Sequence, residues 1–92
     1  MHTDEYEISL NRELRHCTAV VNKIKKAIDR RQQQFKMTYE EAIRAADEGR
    51  IILPERERLR WQDDIEALPQ WEQRLDEYRK ALAVMRISAS RF

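Results

Sequence analysis

Residues 10–35 read LNRELRHCTAVVNKIKKAIDRRQQQF, and residues 61–85 read WQDDIEALPQWEQRLDEYRKALAVM. In the first stretch Leu10, Leu14, Cys17, Val21, Ile24, Ile28, Arg31 and Phe35 follow one another at alternating spacings of 4 and 3. In the second, Trp61, Asp64, Leu68, Trp71, Leu75, Tyr78, Leu82 and Met85 do the same, beginning with 3. A repeat of 3.5 residues keeps one face of a helix turned toward a partner helix, which is the geometry of a left-handed coiled coil. Each row has one charged member, Arg31 in the first and Asp64 in the second. If the chain folds back as an antiparallel hairpin, Leu10 comes near Met85, Ile24 near Trp71, and Arg31 near Asp64. The two exceptions then account for each other, as a structural ion pair that sets register.

Working outward, the segment before the first row carries Thr3, Asp4, Glu5 and Glu7. A hydroxyl followed by carboxylates suits the positive end of a helix, so the first helix is expected over about 4–35. Thr38 with Glu41 three residues later forms a capping box, which predicts a short helix over about 39–48. Gly49, the single glycine, suits the left-handed position that ends it. Ile51-Ile52-Leu53 reads as an extended connector packed beneath the closed end of the hairpin. Pro54 fits the first turn of a third helix, over about 54–88. Pro69 falls inside that helix, but the apolar row keeps its phase across it. A kink is therefore expected, with a full break as the alternative.

Composition agrees with one small all-α domain spanning 1–92. Of 92 residues, 38% are charged and 41% hydrophobic, with one Gly and two Pro, too few turn formers for a sheet of short strands. The net charge of +1 gives no global field for non-specific nucleic-acid binding. One cysteine precludes an internal disulfide. No apolar run approaches the ~20 residues of a membrane span, and no secretory signal is expected at the N-terminus. The expected setting is a reducing cytoplasm, with no membrane association.

Two helices cannot bury such rows on every side, so the apolar residues beside them bear on function. Tyr6, Ile8, Val84 and Ile87 form one expected interface set, and Val20 with Ile65 a second. They point to a non-catalytic interaction module, a small adaptor or accessory subunit working through helix–helix contact. Its partner is another protein or a second copy, with a homodimeric four-helix bundle as the expected assembly. The alternative is a nucleic-acid-binding accessory protein that uses the basic outer face Arg12, Arg15, Lys23, Lys26 and Arg30. No helix-turn-helix spacing, zinc motif or aromatic–basic interleaving accompanies that face.

Sites for chemistry are sparse. Glu13-x-x-His16 is half of a di-iron carboxylate motif, but its only possible companion histidine is His2. His16-Cys17 lacks zinc-ligand spacing. Leu53-Pro54-Glu55-Arg56-Glu57, together with the chain length, resembles the small all-helical chorismate mutases. That resemblance implies a lysine in the middle helix and a glutamine near the end of the last one. The chain has Arg44 and Ser88-Ala89-Ser90-Arg91 there, so the family's site is not carried over. There is no Gly-rich phosphate loop, nucleophile elbow or histidine-based triad. The expectation is no catalysis, no cofactor, no metal and no small-molecule substrate.

Overall fold

The computed structural model describes residues 2–90, with side chains described over 5–87. Among these the chain is all-helical, with three helices: α1 (His2–Phe35), α2 (Tyr39–Asp47) and α3 (Glu55–Ser90). The first and third pack together. α1 contains no proline or glycine, and at 1.5 Å per residue it runs for ~50 Å. It begins one residue before the expected Thr3 cap, which places Thr3 inside the helix. α3 continues through Pro69, so the proline does not break it.

The ends of α2 follow from local chemistry. Thr38 sits in an extended conformation (φ −71°, ψ 166°), and its hydroxyl accepts from the Glu41 N–H at 3.3 Å. The same hydroxyl donates to the Glu41 carboxylate at 3.0 Å, so the two side chains hold one another. At the other end Gly49 adopts φ +74°. The Gly49 N–H bonds the Ala46 carbonyl at 3.0 Å, and the Arg50 N–H bonds that of Ala45 at 2.8 Å. This doubly bonded left-handed cap satisfies carbonyls that would otherwise lack partners.

α1 ends the same way with a costlier residue. Lys36 adopts φ 55°, and the Met37 N–H reaches back to the Gln32 carbonyl at 3.2 Å. α3 starts where the Pro54 carbonyl accepts from the Arg58 N–H at 3.0 Å, which puts Pro54 at the cap, one residue ahead of the first turn.

The chain divides into two compact units. One joins residues up to Asn22 with those from Pro69 onward. Its core is Leu10, Cys17 and Val21 from α1 with Leu75 and Leu82 from α3. Leu14, Trp71, Tyr78 and Met85 are half-buried around it. The other unit is Lys23–Leu68. Its core is Ile24, Ala42, Ala45 and Trp61, with Ile28, Phe35 and Leu68 half-buried. Every member of the two 3.5-residue rows is thus buried or half-buried. In the second unit Trp61 is fully enclosed (0% exposed), stacked on Phe35 at 5.6 Å and met edge-on by Tyr39 at 5.4 Å. Small side chains at Ala42 and Ala45 give α2 a face flat enough to bury completely.

One expectation is corrected. Ile52 does not pack beneath anything: it is 89% exposed, and only its neighbours Ile51 and Leu53 are half-buried. The short run has alternating sides, so an extended backbone that buries two residues must expose the one between them. Trp71 meets His16 of its own unit, ring centroids 5.8 Å apart.

The two left-handed caps predict opposite responses. A Cβ at Gly49 would meet no atom within 4 Å, so the cost of Gly49→Ala is backbone strain alone, about 1 kcal/mol. Lys36→Gly should stabilise by about 0.5–1 kcal/mol. Urea unfolding of both variants measures the two signs; equal signs would mean that one of the caps is misplaced.

Candidate functional site

Arg31 makes two ion pairs at once, and its position explains why. It occupies an apolar row, so most of its stem is covered and only its head can find polar partners. Arg31 Nη1 donates to Asp64 Oδ2 at 2.6 Å, and Nε donates to Glu57 Oε1 at 3.0 Å. The Arg31 side chain is 12% exposed, against 28% for Asp64 and 35% for Glu57. Partial burial works against the guanidinium charge, but the hydrogen bonds to Asp64 and Glu57 outweigh it and hold the pKa above its ordinary value. Sequence reading named Asp64 and missed Glu57. The signal was available, because Glu57 lies seven residues before Asp64 and therefore shares its face of α3.

The partly exposed carboxylates limit what this site is worth. Water reaches both, so each pair contributes on the scale of a fork with good geometry, not of a buried charge. Neither of the two grooves described below is lined by Arg31, Glu57 or Asp64.

The apolar residues named as interfaces are mostly on the surface. Tyr6 and Ile8 are each 57% exposed, Val84 62% and Ile87 57%; Ile65 is just exposed and Val20 half-buried. They do not form a single face. Tyr6 and Ile8 are two residues apart, about 200° around the helix, and so point to opposite sides. Val84 and Ile87, three apart, share a side. Sequence proximity had grouped Tyr6 with Ile8, and helical geometry separates them. Leu59, 47% exposed, and Ile52, expected to be packed, are further exposed apolar residues.

Two shallow grooves are present, each about 420 Å³. In the unit Lys23–Leu68, Ile28, Ile65 and Leu68 form the apolar lining, edged by Gln32, Thr38, Tyr39 and Glu40. In the other, Leu14, Leu82, Ala83 and Ile87 lie between Asn11 on one helix and Arg79 and Arg86 on the other. Neither brings together a nucleophile, a base and an oxyanion donor.

The basic residues Arg12, Arg15, Lys23, Lys26 and Arg30 are all exposed. Arg12 and Arg15 belong to one unit, Lys23, Lys26 and Arg30 to the other. Within each group the spacing of three or four residues places the side chains on a common side of α1, away from the buried row. Glu13 and His16 are exposed, and His16 lies edge-on to Trp71. The Arg74 guanidinium covers the same indole, 4.9 Å from its ring centre. Among the described residues no three His, Cys, Asp or Glu side chains converge as metal ligands, and no helix is long and apolar enough to cross a membrane. Cys17 is a buried free thiol within a packed core.

Comparison of the chain with family models, with curated proteins and with solved structures finds no match.

The Arg31 fork predicts an asymmetry. Arg31→Leu leaves two carboxylates beside an apolar row and should cost about 1–2 kcal/mol. The triple change of Arg31, Glu57 and Asp64 to Leu, Gln and Leu should cost less, because no charge is stranded. Thermal unfolding measures both costs. A double-mutant cycle by thermal unfolding of wild type, Arg31→Leu, Asp64→Leu and the double variant should give coupling of about 0.5–1 kcal/mol. Zero coupling would mean that the fork does not form in solution.

Proposed function

We propose that this protein is a non-catalytic helical interaction module, a small cytoplasmic adaptor or accessory subunit that works by helix–helix contact. Its frame is an antiparallel, coiled-coil-like hairpin. The order of contacts inside each unit supports that direction: Phe35 with Trp61 and Arg31 with Asp64 in one, His16 with Trp71 and Leu14 beside Leu82 in the other. The partner is a second copy or another protein that supplies helices of its own, with a four-helix bundle as the assembly.

The observation that carries this reading is the contrast at the end of α3. Leu82 is buried in the core, while Val84 and Ile87, within the next turn and a half, are more than half exposed. A β-branched apolar pair left in water beside a buried one gains roughly 1.5–3 kcal/mol per side chain when fully covered. Together with Ala83 they give one side of α3 the small, flat, apolar surface that a facing helix packs against.

The exposed basic residues of α1 support a second reading, an accessory protein that tracks phosphates with Arg12, Arg15, Lys23, Lys26 and Arg30. The two readings part on a heparin column at physiological salt. Flow-through favours the interaction module. Retention that disappears when Lys23, Lys26 and Arg30 become Ser favours the phosphate reading.

The interaction reading predicts that Val84→Glu with Ile87→Glu abolishes association, measured as molar mass by light scattering, while helicity by circular dichroism stays unchanged. Association that survives the double change would place the interface on another side of the helices.

A further inference from the structure

We propose that the groove between α1 and α3 lined by Asn11, Leu14, Arg79 and Ile87 is filled by the same groove of a second copy, the two related by a two-fold axis running along the groove. The inference rests on the interaction reading above and fixes its partner and orientation.

Charge is divided unevenly between the two banks of the groove. On α1, Glu7, Asn11 and Leu14 are spaced i, i+4, i+7 and so share a side of the helix. Asn11 and Leu14 line the groove, and the Asn11 amide donates to the Glu7 carbonyl at 3.0 Å. Glu7, one turn before Asn11 on the same side and outside the groove's lining, adds a carboxylate at the end of this bank. On α3, Arg79, Ala83 and Arg86 have the same i, i+4, i+7 spacing, and all three line the groove. This bank carries two guanidiniums, neither of which makes an ion pair with a described residue. Between the banks the floor is apolar, with Leu82 buried beneath Ala83 and Ile87.

An axis along the groove exchanges the banks: α1 of one copy lies over α3 of the other. Glu7 then comes level with the second copy's Arg86, twice over, while the apolar floors meet in the middle. Such an interface is self-complementary, as a two-fold contact must be. Turning one copy end for end, about an axis across the groove, instead brings each arginine-bearing α3 over the other α3. That arrangement sets like charges face to face, which is unfavourable. Ala83 at the centre of the α3 bank lets the helices approach closely, and Ile87, 57% exposed, has apolar surface to lose.

The test is a charge exchange followed by mixing. One variant carries Glu7→Arg; the other carries Arg79→Glu and Arg86→Glu. Molar mass is measured by light scattering over a range of concentrations, with helicity as the check on folding. The wild type should dimerise. Each variant alone should bind itself about tenfold or more weakly than the wild type does. An equimolar mixture should form a heterodimer, because one of its two Glu7 contacts is native and the other is the same contact with signs exchanged. Because the rescue requires folded partners, a variant that merely misfolds cannot produce it. A wild type that stays monomeric overturns the proposal and leaves the interaction reading to a different protein. A wild-type dimer with variants that dimerise equally well, or a mixture that is not rescued, overturns the orientation while self-association stands. Val84→Glu with Ile87→Glu leaving association intact would place the contact on another side of the helices and overturn this groove as the interface, whatever the mixture does.

Discussion

Everything in this molecule depends on a row of side chains recurring every 3.5 residues on two long helices. The row fixes which side of α1 and of α3 is removed from water, and burial follows it closely from Leu10 to Phe35 and from Trp61 to Met85. Isolated helices of this composition are marginal in water, since propensity alone barely offsets chain entropy. Covering the rows is what makes the helices persist. The same constraint leaves the flanks open, because two helices can hide only one side of each other. α2 relieves it in one unit, where Ala42 and Ala45 are fully buried. Among the described residues of the other unit only α1 and α3 contribute helix, and there Val84 and Ile87 are more than half exposed.

The one charged residue in the α1 row shows how such a frame tolerates an exception. Arg31 can stand in an apolar row because its stem is apolar and its planar head is met by two carboxylates at once, from Asp64 and Glu57. Both carboxylates stay partly in water, which limits the desolvation cost. A lysine would offer a single point charge and could not form the same fork. The pair therefore reads as a device that favours one register among the several a 3.5-residue repeat would allow.

Local rules were legible in the sequence wherever the physics is local. The Thr38–Glu41 cap and the left-handed Gly49 depend on residues within one turn, and both stand where spacing placed them. The rows were legible because periodicity reports burial directly. The companion of Arg31 in the second row could be named for the same reason. What escaped were features decided by packing across the chain. The enclosure of Trp61 by Phe35 and Tyr39, the lysine holding a left-handed cap at position 36, and the meeting of Trp71 with His16 have no signature of their own in one dimension. The interface set was blurred differently. Tyr6 and Ile8 are neighbours in sequence and near-opposites on the helix, so listing apolar residues outside the row hid which side each one takes.

The central claim is that the two rows pack against each other, and the two tryptophans report it in solution. In a nuclear Overhauser spectrum of the indole protons, the account predicts contacts from Trp61 to Phe35 and Tyr39, and from Trp71 to His16. Indoles that show contacts only to residues of their own helix would contradict it.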